Sequence, residues 1–209
     1  MRTVMLLVVC GAVTFAQTPA QGGRGGGGGR GGGRGNAGIS NFTAMTTAWP
    51  DGGMIPLRYT QAGAEISPAI QWSTPPAGTQ SFVVIFSDAD AVAQNSSDGL
   101  LQWMVWNIPA SATGVAQGRP DGFEMEDGSR QISVSGSRYR GPGAAASGPI
   151  HHYILEVFAV DKMLDVKVAP QGPQDPNPNA QAVRTAVLAE IAGHVRGRAA
   201  YVGLFHRPQ

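Results

Sequence analysis

Two short clusters in this chain carry groups able to bind a ligand or move a proton. Asp88 and Asp90 stand two residues apart at the end of an apolar run, and His151 and His152 open another run ahead of Tyr153. Carboxylates at a strand end do one of two jobs: they cap the next loop by accepting backbone N–H groups, or they serve a ligand. An adjacent histidine pair makes a poor metal site, because neighbours on a strand point to opposite faces. Taken singly, each histidine reads first as a hydrogen-bonding partner near a strand end. A hydrolase would have to join Asp88 and His151 to a serine such as Ser87 or Ser147, and neither serine sits in a Gly-x-Ser-x-Gly elbow. The chain also has no Walker loop, no His-Glu-x-x-His and no Cys-x-x-Cys.

The elements that must position these groups are mostly strands. Ser81 to Ser87 is rich in branched and aromatic residues, the pattern of a strand buried on both faces. Gln102 to Asn107 reads as a second core strand, stopped by Ile108-Pro109. The third runs from Ile150 to Asp161. Its alternation sets His151, Tyr153, Leu155 and Val157 on one face and His152, Ile154, Glu156 and Phe158 on the other. Clusters of Gly, Pro, Ser and Asp between the runs are turn chemistry. Val183, Val187, Leu188, Ile191 and Val195 predict one late helix, with Asn179 as its N-cap. The body is therefore mainly β, with a peripheral C-terminal helix.

Charge and composition narrow the partners. The chain has 209 residues, 15 of them basic and 14 acidic. Of the 17 residues from Gly22 to Gly38, 12 are glycine, and Arg24, Arg30 and Arg34 lie among them. From Ile39 onward 11 basic residues face 14 acidic ones, which is no footprint for nucleic acid. Arg2 followed by the apolar run Val4 to Val13 has the length and charge of a signal peptide, with cleavage expected after Thr14-Phe15-Ala16. Residues 1–16 are then a signal peptide and 17–38 a Gly/Arg-rich disordered linker, too poor in apolar surface to offset ordering. Residues 39–209 form one domain large enough for its own core. The single cysteine, Cys10, leaves with the leader, so no disulfide and no cysteine-ligated metal is expected.

The order of the pieces carries a resemblance. Ser67-Pro68-Ala69-Ile70-Gln71-Trp72, Pro75-Pro76-Ala77-Gly78-Thr79 and Asp88-Ala89-Asp90-Ala91 come first. Trp106-Asn107-Ile108-Pro109-Ala110, Gly141-Pro142, His151-His152-Tyr153, Gly193-His194-Val195 and Gly203-Leu204-Phe205 follow. From about Met54 to Arg207 the chain resembles the phosphatidylethanolamine-binding protein family, also called Raf kinase inhibitor-like, in its bacterial YbhB/YbcL branch. The resemblance implies two packed antiparallel sheets with the C-terminal helix near a small pocket. It implies a pocket for phosphate or a phospholipid head group, lined by Asp88, Asp90, Gln102, the turn Gly141 to Gly143, His151 and Tyr153. In that reading His151 and Tyr153 donate from one face, the glycine turn offers N–H groups, and the aspartates orient the donors. Three departures stand out: Gln102 replaces the family's histidine, Ala89 and Val92 replace two prolines, and Ala144-Ala145 replaces a proline pair. The implied function is an exported binding protein with no catalysis and no cofactor. The alternative is an inhibitor directed at a protein, of protease or kinase type.

Overall fold

A strand with bulky apolar side chains at both alternations needs cover on each side, and Ser81–Asp88 is such a strand. The computed structural model, which describes residues 41–92, 97–169, 172 and 179–209, supplies that cover: all eight residues of the strand are buried. The expected leader and linker lie outside the described residues.

In chain order the elements are β1 (Ala44–Met45), β2 (Gly53–Met54), β3 (Ile70–Trp72), β4 (Ser81–Asp88) and β5 (Leu100–Pro109). Then come β6 (Gly114–Val115), β7 (Arg130–Ile132), β8 (His151–Val160), α1 (Ala180–Ile191) and β9 (Val195–Phe205). They make a three-stranded sheet, β1-β3-β6, and a six-stranded sheet, β2-β9-β8-β4-β5-β7. Pairing is antiparallel except at one edge, where β2 runs parallel to β9. That approach is close. A Cβ on Gly203 would lie 2.5 Å from Ile55 and 2.7 Å from the Trp49 indole, so only glycine fits there.

The two faces of β4 belong to two core layers. Phe82, Val84 and Phe86 pack with Phe42, Trp72, Trp103 and Tyr153 between the sheets. Val83 and Ile85 pack with Met104, Trp106 and the α1 residues Val183, Val187 and Ile191. The sequence reading of a mainly β body with two sheets and one late helix holds. The helix stops at Ile191, four positions short of Val195, the last residue of the predicted stripe. Gly193 adopts φ +81, a conformation that ends helices, and Val195 opens β9 with 41% exposure. Asn179 does occupy the N-cap position, where its carbonyl accepts the Val183 N–H at 2.9 Å. β9 carries a weak sequence signal, because Arg196, Arg198 and Ala200 alternate with only small buried residues, Gly197 and Ala199.

Phe86 is 1% exposed and lies about centrally among Trp49, Tyr139 and Tyr153, with ring centroids 6.3, 6.2 and 5.9 Å away. Phe86→Ala should cost about 3–5 kcal/mol in chemical denaturation. A loss below about 1 kcal/mol would show that this layer repacks freely.

Where the end of β8 lies beside the start of β9, Asp161 accepts from His194 at 2.7 Å and Arg196 at 2.5 Å. The hydrogen bond from His194, with the bond and charge of Arg196, holds the Asp161 carboxyl below its ordinary value. A lowered carboxyl stabilises the fold above the unfolded-state pKa and loses that contribution as pH falls through the folded-state value. Stability measured from pH 6 down to pH 3 should therefore fall less steeply in Asp161→Asn than in the parent. Identical slopes would remove this pair from the acid response.

Candidate functional site

The site begins where β4 ends. Asp88, the last residue of β4, is 3% exposed, and its register partner on β8 is Tyr153. Both its oxygens approach His151 Nδ1, at 3.0 and 2.8 Å. Oδ1 also accepts the N–H groups of Asp90 (3.1 Å) and Ala91 (3.2 Å). One carboxylate thus caps the loop and orients a histidine. Of the two jobs that the sequence leaves open, loop capping is the one these contacts perform.

Asp90 takes the other histidine. Its Oδ2 accepts the His152 backbone N–H at 2.6 Å and lies 3.0 Å from His152 Nδ1. The backbone hydrogen bond comes first among the causes that lower the Asp90 carboxyl. This pair is exposed and sits outside the cavity that Asp88 and His151 line. Alternation along β8 separates the histidines, and the aspartates separate because the chain leaves the strand after Asp88.

Gln102 owes its position to a bulge. Phe86 pairs with Trp103 and Ser87 with Leu101, so Gln102 is the extra residue opposite that step. A bulge re-aims a side chain, and Gln102 ends 1% exposed in the cavity wall. Its backbone carbonyl accepts the Arg140 N–H at 3.2 Å, which ties β5 to the turn that follows Tyr139. That turn lies against the segment after the 3-10 turn Leu57–Tyr59. A Cβ on Gly141 would meet the Tyr59 carbonyl at 2.5 Å, which is why glycine stands there. Glu65 holds the turn from outside, accepting the Gly141 N–H and the Arg138 guanidinium, both at 3.1 Å.

The N–H groups of this turn do not point where a glycine nest would put them. Gly141 spends its N–H on Glu65, while Gly143 and Ala144 both donate to the Tyr153 hydroxyl oxygen at 3.2 Å. Tyr153 is fully buried, and burial followed by the Asp88 charge and hydrogen bond pushes its hydroxyl far above the ordinary range. It is a neutral anchor under the rim. Among the described residues, no serine hydroxyl hydrogen-bonds His151.

These residues enclose a cavity of about 240 Å³. Asp88, Gln102, Gly143 and His151 line it, whereas Asp90, Gly141 and Tyr153 do not. Two polar lining residues had not been singled out as site residues, Arg140 and Gln61. Arg140 immediately precedes the Gly141 to Gly143 turn, so its position beside that turn is the sequence signal for it. Gln61 follows a turn, donates to the Gly141 carbonyl at 2.7 Å, and has no periodicity to reveal it. A larger cleft of about 430 Å³ surrounds Phe123, Arg130 and Lys167. Its cations are already matched, Arg130 to Glu124 at 2.9 Å and Lys167 to Asp165 at 2.5 Å. The smaller cavity is the one that brings a carboxylate, an imidazole and a guanidinium to one lining.

Comparison with known proteins bears on the whole body. The family model described as phosphatidylethanolamine-binding protein matches residues 45–206. A UPF0098 protein of Methanothermobacter thermautotrophicus is 36% identical over 164 residues, covering 78% of this chain and 97% of that protein. A Mycobacterium tuberculosis protein named as a candidate lipoprotein, LppC, is 30% identical over 166 residues, covering 78% of this chain and 71% of its own. The crystal structure of Escherichia coli YbcL superposes with a TM-score of 0.62 at 21% identity, over 80% of this chain and 99% of that one. The chain belongs to the phosphatidylethanolamine-binding protein family.

Proposed function

We propose that this protein is an exported binding protein whose cavity holds a small anion, phosphate or the phosphate of a lipid head group, without catalysing a reaction. The observation that carries the reading is the grip of Asp88 on His151 Nδ1 beside Arg140 in one small cavity. With Nδ1 committed, the other imidazole nitrogen is left to the ligand, and it donates whenever the ring is protonated. Arg140 is a permanent cation with a planar set of donors suited to phosphate. Asp88 is engaged by His151 and two backbone N–H groups, so its charge orients a donor. The volume is below the roughly 300–1,000 Å³ of drug-sized sites, which suits a head group or a free ion. No cofactor is needed.

Export rests on the leader-like residues 1–16, followed by the glycine-rich spacer 17–38 ahead of the folded body. The name of the mycobacterial relative LppC supports it, since lipoproteins are exported. Among the described residues, no helix is long and apolar enough to cross a membrane. Mass spectrometry of the protein recovered outside the cytoplasm should find a chain starting at Gln17 or close by. A chain still beginning at Met1 counts against processing.

Calorimetric titration with phosphate and with glycerophosphoethanolamine tests the pocket. Arg140→Ala and His151→Ala should each weaken binding about ten- to a hundredfold, the worth of a charge-assisted hydrogen bond at roughly 1.5–3 kcal/mol. His152→Ala, on the opposite face, should leave binding unchanged. Gln102→His should strengthen binding at acidic pH by adding a second cation. If neither compound binds and no variant changes anything, the pocket reading falls and a protein-directed inhibitor becomes the better account.

A further inference from the structure

The stretch Arg138 to Pro142 carries Arg140 to the cavity, and each of its residues is held. Arg138 Nη1 donates to Glu65 Oε2 at 3.1 Å, and the Tyr139 hydroxyl donates to the Tyr59 carbonyl at 2.8 Å. The Arg140 N–H donates to the Gln102 carbonyl at 3.2 Å, and the Gly141 N–H to Glu65 Oε1 at 3.1 Å. The Gly141 carbonyl accepts from the Gln61 amide at 2.7 Å, and the Pro142 carbonyl from the Gln61 backbone N–H at 3.0 Å. Apart from the Gln102 contact, every grip comes from one short segment, Tyr59 to Glu65. Within that segment Glu65 reaches both sides of Arg140, because its carboxylate spans positions 138 and 141.

Glu65 does this from an awkward backbone. Its φ is +53, where glycine or asparagine is the usual residue. The side chain is half-buried and does not line the cavity. A residue kept in the left-handed region is over-determined by its surroundings, and such positions gather at ligand sites. At the far end of the lever, Arg140 Nη1 reaches the Ser135 hydroxyl. The guanidinium is thus placed by its backbone and by its tip together. A planar fork serves a phosphate only when it is held within about 0.5 Å of the productive position.

Resting on the anion reading above, we propose that Glu65 is a positioning residue for the cavity: by stapling Arg138 to Gly141, it sets the turn that presents Arg140 to a bound phosphate. Glu65 itself touches no ligand. Its charge works the other way, because a carboxylate near an anion site repels the anion. Loss of position and loss of charge therefore change affinity in opposite directions.

Calorimetry of the full chain with inorganic phosphate reads that sign. Glu65→Gly deletes both contacts, and it should weaken phosphate binding about tenfold, the lower end of what a charge-assisted hydrogen bond contributes. Its thermal melt should stay within about 4 °C of the parent, because glycine takes a positive φ without strain. Glu65→Gln keeps an acceptor for the Gly141 N–H but loses the charge pair with Arg138, and should weaken binding about threefold. The route through Arg140 is tested in an Arg140→Lys background, where a flexible point charge replaces the fork. There Glu65→Gly should change affinity by less than about threefold, the non-additivity expected of coupled residues. Phosphate binding in Glu65→Gly as tight as in the parent, or tighter, overturns the proposal and leaves the anion pocket in place. An undiminished loss in the Arg140→Lys background overturns the route through Arg140. If Glu65→Gly melts well below the parent or does not fold, Glu65→Gln decides by its sign: weaker binding upholds the proposal, and equal or tighter binding overturns it. If the parent binds no phosphate, both readings fall.

Discussion

The Asp88 carboxylate holds two structures in place at once. It terminates β4 by accepting the N–H groups of Asp90 and Ala91, and it fixes the His151 ring by Nδ1. A carboxylate that is 3% exposed is tolerable only when its oxygens are satisfied, so the loop and the histidine are what make its burial possible. Remove it, and the loop after β4 loses its cap while the imidazole loses its orientation. Its charge also reaches Tyr153, whose hydroxyl is kept neutral by burial and by this carboxylate. The cavity depends on that one group more than on any other.

The scaffold around it is built to be stiff. β4 lies between β8 and β5 in the six-stranded sheet, and each of its faces is sealed by a separate apolar layer. A side chain at the end of such a strand has little freedom to drift, because the core is packed at crystal-like density. The bulges on β5 introduce the needed irregularity. At Gln102 the bulge delivers a polar side chain into the cavity wall. At Asn107, whose φ is +57, the side chain replaces a strand pairing, donating to the Leu164 carbonyl at 2.9 Å and accepting the Leu164 N–H at 2.8 Å.

Arg140 reaches the cavity because its turn is gripped from several sides. Gln102 holds its backbone, Glu65 holds Gly141 and Arg138, and the Tyr139 hydroxyl donates to the Tyr59 carbonyl at 2.8 Å. Glu65 sits at φ +53, a left-handed conformation that an L-residue adopts at some cost, so the contacts it makes over-determine it. Family membership speaks for the fold of residues 45–206, and within it Arg140 comes to the cavity from the turn after Tyr139 while His151 comes from the start of β8.

By itself the sequence determined the strands dense in branched and aromatic residues and the alternation of β8, because both signals are written locally. β4, β5 and β8 were legible from Phe82, Trp103 and Tyr153 and their neighbours, and so was the apolar stripe of α1. The separation of His151 from His152 followed from the same alternation. Only the tertiary structure decided that Asp88 and Asp90 part company, since the chain stops being a strand between them and no spacing rule applies beyond that point. It also decided that Gln102 stands in a bulge, which depends on the register with Phe86 and Ser87 sixteen and fifteen residues away. It brought Gln61 and Arg140 to one cavity across 79 positions of chain, a juxtaposition made by the packing of a turn against a loop. And it showed where the turn's N–H groups go, because Tyr153 and Glu65 claim them from other elements. Local periodicity carries no information about partners that distant, so the donors and acceptors of the site had to be read from the folded chain.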